Sequence, residues 1–466
     1  MSPPIVRLRA RWVLPTAHSL IEDGEVVVEG ERIADVRPRP AGAVGGDAIR
    51  EFPDAVLLPG LVNAHTHLDY TVMRGLLDDD AFFPWVRALV GLSEALIPAD
   101  WEVSALVGAM DAAAGGATTV ADCSPHGAAA RALSAVGLRG LVYQEVFGIG
   151  AEPVVSEALD ALAARLRSLQ TATAGGRIRL GVSPHALYTV RPDLLRAVCA
   201  WARDEGLPVC IHAAESRAEE ELVRHGSGPI AESLARRGID WRPSGASPLQ
   251  HLLRHGALAP GTLLVHGVRV DNGDARRVAE AGCAWVHCPK SNAKLANGVA
   301  RLATLRGPHG DVPVGLGSDS VVSNNAMDMF EEMRFAVLAQ RAMTMDPHAL
   351  TAKEVLEMAT LGGARALGMA QEIGSLEAGK QADIVAVRLD RAHAWPVHDP
   401  QSAVVYTARG SDVAATFVAG EPVVERGRAL RPNRRRIGRR ARAAAERVRQ
   451  AARTAAALDR EERPCA

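Results

Sequence analysis

An apolar run over residues 56–62 leads almost directly into His65-Thr66-His67, and the rest of the chain is organised around that point. Residues two apart on a strand project to the same side, so both imidazoles face one common centre. Imidazole is a common ligand for zinc and other transition metals, and a strand ending in His-x-His supplies two ligands with almost no loop entropy to overcome. The bland account is two surface histidines among the 15 of this sequence. Four further segments weigh against it.

The middle of the chain alternates. Apolar strands are predicted at 56–67, 117–123, 138–147, 178–184, 208–214, 263–268, 284–288 and 312–317, with helical spacing between them at 156–170, 192–205, 219–237 and 274–281. Eight strands separated by helices point to an α/β fold, a parallel (β/α)8 TIM barrel, whose active site lies at the C-terminal strand ends. Short strands at 5–13, 24–28 and 32–36, and again at 384–389, 404–407 and 414–418, predict a small β-sandwich built by both termini. We therefore expect 1–55 and 375–430 to form the composite sandwich and 56–374 the catalytic barrel. Residues 431–466 hold twelve arginines against four acids, with an alanine-rich stretch at 441–458 that should be helical. The expected form is a solvated surface helix, a candidate contact with a second subunit, rather than a nucleic-acid arm.

At 466 residues there is ample chain for a large core and a second, smaller domain. A net charge of -1 gives no global field to attract nucleic acid or an anionic membrane, so selectivity must come from a pocket. Six cysteines without CxxC spacing suit reduced thiols in a cytosol. No apolar run of membrane-spanning length and no leader-like N-terminus is seen, so a soluble, cytoplasmic protein is expected.

The site residues come from the ends of the predicted strands. The fifth carries His212, the sixth His266, and the eighth runs into Ser318-Asp319. With His65 and His67 they offer a set of neutral imidazoles and a carboxylate that suits one divalent transition metal and leaves room for a water. A lone histidine more often packs in a core. Histidines or acids at the ends of strands one, five, six and eight together are hard to explain as packing.

The motifs LPGLVNAHTH, IHAAES, VHG, HCPKSNAKL and GLGSDSVVSNNAMDMFEEMR resemble the amidohydrolase superfamily, specifically its cytosine-, guanine- and adenosine-type aminohydrolases related to triazine hydrolases. The late segment IGSLEAGKQADIVAV is similar to that family's return strand into the small sandwich, and the likeness covers roughly 5–430. It implies that His65, His67, His212 and Asp319 bind one ion, zinc before ferrous iron, while Glu215, His266 and Asp319 act on substrate and water. Binuclear relatives bridge two ions with a carbamoylated lysine from the middle of the barrel. This chain has no lysine before Lys290, which favours a single metal.

Glu215 lies three positions after His212, so it must sit on the turn beyond the strand to lean over the pocket. There a carboxylic acid can protonate a ring nitrogen as water adds to an amino-bearing carbon, which favours deamination; chlorohydrolases resembling this chain can do without that acid. The alternatives are a hydrolase of another C–N or C–Cl bond, of triazine or chlorohydrolase type, and an inactive barrel used as a scaffold.

For the substrate, an adenosine-like nucleoside or other heterocycle is expected. The segment 68–89 offers Asp69, Arg74, Phe82, Phe83 and Trp85 for a lid, or simply packs on the barrel mouth. Deaminases of S-adenosylhomocysteine and methylthioadenosine carry a glutamate just before this tryptophan, whereas this chain has Pro84. The segment 222–258 is similar to aminodeoxyfutalosine deaminases instead. His185 matches a substrate-contacting position, with a buried helix-capping histidine as the alternative. Cys288, Lys290, Asn292 and Lys294 are candidates for a ribose or carboxylate contact, Asn292 alternatively for fixing a turn. A homodimer is expected, with no nucleic-acid or membrane partner.

Overall fold

The apolar run that ends in His-x-His is two strands in two different sheets. In this computed structural model, which describes residues 4–41, 48–307 and 312–461, β1 (Ile5–Val13), β2 (Ile21–Glu29), β3 (Arg32–Pro38) and β4 (Ala48–Pro59) lie in a peripheral sheet, and β5 (Leu61–Thr66) opens the barrel. The continuous strand predicted over 56–67 is broken at Gly60. A side chain there would collide with Thr118, whose Oγ1 lies 2.1 Å from an ideal Cβ, and the Gly60 N–H donates to the Asp383 carbonyl at 2.9 Å. The chain thus changes sheets at a residue that only glycine can occupy without displacing its neighbour. Cys465 lies outside the described residues.

The barrel continues through β6 (Ala117–Ser124), β7 (Arg139–Val146), β8 (Ile178–Pro184), β9 (Val209–Ala213), β10 (Thr262–His266), β11 (Ala284–His287) and β12 (Val314–Leu316), each hydrogen-bonded to the next. Every residue of β6 and β7 is buried, as expected of parallel strands covered on both faces. Closure is made at the functional end, where Thr66 pairs with Asp319 and the Asp319 N–H donates to the His65 carbonyl at 2.9 Å.

The peripheral layer is one mixed eight-stranded sheet in the order β16-β15-β14-β13-β4-β1-β2-β3, completed by β13 (Ile384–Arg388), β14 (Val413–Val418), β15 (Glu421–Glu425) and β16 (Arg428–Ala429). Leu8, Val26, Ile33, Leu57, Ile384 and Phe417 share its core. The strand predicted at 404–407 is instead the helix Pro400–Tyr406. Asp399 caps it by accepting from the Gln401 N–H, and proline at its first position presets φ, a start signal that overrides the β propensity of Val404-Val405-Tyr406. Barrel and sheet are tied by Arg139 on β7, whose Nε and Nη2 donate to Asp383 at 2.9 and 3.1 Å.

The basic tail is not solvated all round. It forms the helix Arg434–Glu461, whose Ile437, Ala444 and Val448 are buried in a cluster shared with Trp101 and Ala105 of the helix Pro98–Ala114. Its Arg447 Nε donates to Asp100 of that same helix at 2.9 Å. Among the described residues no helix is long and apolar enough to cross a membrane.

Candidate active site

Three of the strand ends that meet at the barrel mouth use backbone conformations that L-residues rarely adopt. Ala214, His266 and Asp319 have φ of +52°, +78° and +59°, and such strain persists only where surrounding contacts dictate it. After β9, the left-handed Ala214 turns Glu215 back over the opening, where it lines the cavity. Glu219 fixes that turn, its two carboxylate oxygens accepting from the N–H groups of Ala214 and Glu215 at 3.1 and 2.8 Å. At Asp319, Asn63 on β5 grips the preceding residue, accepting from the Ser318 N–H at 2.9 Å and donating to its Oγ at 2.7 Å.

The structure brings His65, His67, His212 and Asp319 to one point. His212 Nε2 lies 3.3 Å from the Nε2 atoms of both His65 and His67, and Asp319 Oδ1 is 3.4 and 3.6 Å from those same two atoms. None of the four is more than 8% exposed. His212 donates from Nδ1 to the His185 carbonyl at 3.0 Å, which turns the Nε2 lone pair toward the centre. Burial, then the neighbouring imidazoles, hold His212 well below the usual histidine range; burial and His65 hold His67 to about 3. His65 is lowered by burial too, but its contacts with Asp319 and Cys210 together outweigh that and push it up to about 10. Three imidazoles and a carboxylate thus crowd their donor atoms about a single point. The donor set fits a divalent cation.

Around this point is a cavity of about 220 Å³. His266 and Glu215 line it together, with Nε2 and Oε1 3.7 Å apart. His266 donates from Nδ1 to Asn292 Oδ1 at 2.9 Å, and Asn297 Nδ2 donates to Glu215 Oε1 at 3.3 Å. Burial, and after it the carboxylates of Asp319 and Glu219, push the Glu215 carboxyl well above the usual range. Asp319 is steadied from behind by the hydroxyls of Ser291 and Ser323, which donate to its Oδ2 at 2.5 and 3.1 Å.

Of the expected substrate contacts, His185 and Trp85 line the cavity. Arg74 and Asn292 do not. Arg74 donates to Asp111 at 2.6 Å on the outer helix, because the short helix Leu68–Met73 turns it away from the opening. Asn292 stands behind His266, its Oδ1 accepting from that ring while its buried Nδ2 has no hydrogen-bond partner. Lys290 and Lys294 are likewise turned to Glu331 and to Asp78 and Asn325. Cys288 is buried and absent from the lining. The lid segment becomes the helix Phe82–Ser93, which presents Phe82, Trp85, Val86, Leu89 and Val90 to the cavity at helical spacing.

Sequence reasoning missed Glu145, Tyr188 and Phe147. Glu145 sits near the end of β7, 2% exposed, with Oε1 4.0 Å from His67 Nδ1 and 3.9 Å from His185 Nε2. Its signal was available as a lone acid in the apolar run LVYQEV.

A model of the amidohydrolase family matches residues 56–423. The 5-methylthioadenosine/S-adenosylhomocysteine deaminase of Symbiobacterium thermophilum is 36% identical over 414 residues, covering 87% of this chain and 88% of that protein. The protein of the same name from Halobacterium salinarum is 35% identical over 424 residues, covering 88% and 90%. Among solved structures, a zinc-bound adenosine deaminase from Xanthomonas campestris aligns with a TM-score of 0.84 at 31% identity, over 96% of this chain and 99% of that one. Helicobacter pylori aminofutalosine deaminase, in complex with methylthio-coformycin, shares the fold with a TM-score of 0.75 at 22% identity, over 90% and 100%. The chain belongs to the amidohydrolase family.

Proposed function

We propose that this protein is a metal-dependent hydrolase that removes the ring amino group of an adenosine-like nucleoside, exchanging C–NH2 and water for C=O and ammonia. His65, His67, His212 and Asp319 are the proposed ligands, and the zinc-bound relative favours zinc over iron. When bound, such an ion makes a water acidic enough to attack near neutral pH.

The side chains divide the remaining work. Asp319, oriented by Ser291 and Ser323, receives the proton that the water releases. His266, with its Nδ1–H donated to Asn292, presents the Nε2 lone pair to the attacking water and holds it, rather than donating to an oxyanion. Glu215 carries the reading. A buried carboxyl held well above the usual range keeps its proton to higher pH than a solvated one, so it can protonate the ring nitrogen as the tetrahedral centre forms and then help ammonia leave. Phe82, Trp85 and Tyr188 supply flat or apolar walls for the ring.

The test is ammonia release by the metal-loaded full chain from adenosine, 5′-methylthioadenosine and S-adenosylhomocysteine. Glu215→Gln should lower kcat by about 10²–10⁴-fold with metal content unchanged. Near-wild-type turnover in that variant would overturn the role given to Glu215.

The same proposal divides the chain into a satellite domain (1–55 and 375–430), a catalytic domain (56–374) and a tail (431–466), and takes the protein to be a cytoplasmic homodimer that binds no nucleic acid. The five described cysteines are all buried and free, as suits a reducing compartment. Sedimentation with and without added RNA checks the assembly.

A further inference from the structure

The helix Arg434–Glu461 lies beyond the residues that the family model matches, yet it packs against three elements around the cavity: the helices Pro98–Ala114, Leu68–Met73 and Phe82–Ser93. Its grip on the first is well defined. Arg447 Nε donates to Asp100 Oδ2 at 2.9 Å, Arg440 Nη2 donates to the Ala99 carbonyl at 3.3 Å, and Ile437, Ala444 and Val448 share a buried cluster with Trp101. Apolar burial and paired donors together hold the two helices in one register.

The helix so gripped is fastened in turn to the cavity wall. Its Ser104 Oγ accepts from the Val72 N–H at 2.9 Å, and at Gly108 it comes so close to the helix Leu68–Met73 that a Cβ would stand 2.5 Å from Thr71 Oγ1. Trp101 meets Tyr70 edge to face, with ring centroids 5.4 Å apart. Tyr70 is half-buried and lines the cavity, whereas Trp101 is 7% exposed and stands behind it. A continuous line of packed groups therefore runs from the C-terminal helix through one tryptophan to a ring in the wall.

We propose that the C-terminal helix is part of the substrate-binding apparatus: it holds the helix Pro98–Ala114 so that Trp101, a positioning residue, fixes the Tyr70 ring in the cavity wall. With the helix displaced, both rings gain rotamers that a ligand must then order, which weakens binding more than it slows chemistry. As it concerns a nucleoside, the proposal rests on the deaminase reading above.

The experiment uses the zinc-loaded full chain labelled with 3-fluorotyrosine. Fluorine NMR then reads the four tyrosines of the sequence, and Tyr70→Phe assigns the ring of interest. Val448→Asp, which puts a charge into the helix contact, should shift or broaden the Tyr70 line, while the lines of Tyr143 and Tyr406, which pack in other clusters, stay in place. Trp101→Ala should do the same, and Trp101→Phe, which keeps an aromatic edge, should leave the line near its wild-type position. Arg447→Ala is a milder variant for the same readouts, since it removes one hydrogen-bonding side chain and no apolar surface from the buried cluster. In ammonia release from 5′-methylthioadenosine, Val448→Asp and Trp101→Ala should raise KM about three- to tenfold, with kcat within about twofold and zinc per chain unchanged, and Trp101→Phe should restore KM. An unmoved Tyr70 line in Val448→Asp, Trp101→Ala and Arg447→Ala overturns the proposal whatever the substrate. So does an unchanged KM in variants whose line has moved, or a loss confined to kcat and melting temperature, because the helix then only stabilises the fold. A shifted line with no ammonia from any nucleoside overturns the deaminase reading and leaves the positioning of Tyr70 standing.

Discussion

Two groups of buried charges in this molecule are handled in opposite ways. In the peripheral sheet, Glu25 is completely buried and its carboxylate accepts from Arg7, Arg9 and Arg37 at 2.9, 3.0 and 3.1 Å. At the barrel mouth, Asp69 Oδ1, Asp122 Oδ1, Glu145 Oε1 and His67 Nδ1 are buried with no hydrogen-bond partner. A folded chain pays for isolated buried polar atoms, so almost all of them are paired. Glu25 follows that rule and these four atoms depart from it, which marks the mouth as a place where folding leaves interactions for a ligand to complete.

The largest effect expected from this contrast is at the imidazole cluster. His212→Ala should cut bound metal from about one ion per chain to less than about a tenth and lower kcat by about 10³-fold or more, measured by elemental analysis and ammonia release on one preparation. The unfolding midpoint of the metal-free protein should hardly fall, since the cluster is arranged for a ligand rather than for stability. Next is the paired side of the comparison. Arg139→Ala leaves Asp383 buried without its guanidinium and should cost about 3–5 kcal/mol in denaturant unfolding, while the folded fraction keeps its metal. Glu145→Gln sharpens the contrast from the other direction: the melting temperature should move by less than about 2 °C, whereas kcat/KM falls about ten- to a hundredfold. A large loss of stability in that variant would make Glu145 a structural residue like Asp383.

The sequence exposed the parts of the site that chemistry forces into view. His65 and His67 follow an apolar run, and His212, His266 and Asp319 close three others, so strand ends and unusual residues coincide. Positions decided by the third dimension were hidden. Gly60 reads as one more small residue in an apolar run until Thr118 is seen against it. Arg74 and Asn292 have the right chemistry for a substrate, but local turns spend them on Asp111 and His266. Glu145 failed in the opposite sense, since on a strand buried on both faces period-two alternation does not say which side chains face the mouth. The helix at Pro400–Tyr406 shows that a capping aspartate and a proline outrank β-branched residues when they stand at the start of the segment.

The smallest effect expected is a pH dependence on the paired side. Burial opposes ionisation of Glu25, but the hydrogen bonds from Arg9 and Arg37 and the charges of Arg7 and Arg9 outweigh it and hold the carboxyl below 4.5. Its pKa is therefore lower folded than unfolded, and around that pH the unfolded chain binds more protons. The stabilisation is present above about pH 4.5 and is lost as pH falls through the folded value. Glu25→Gln removes the titration and takes from Arg7, Arg9 and Arg37 the carboxylate they share. The wild type should melt a few degrees above this variant at pH 7, and the gap should close as pH is lowered below about 4.5. A gap that stays constant over that interval would mean that shape rather than charge holds the three arginines together, and the peripheral sheet would no longer serve as the paired counterpart of the barrel mouth.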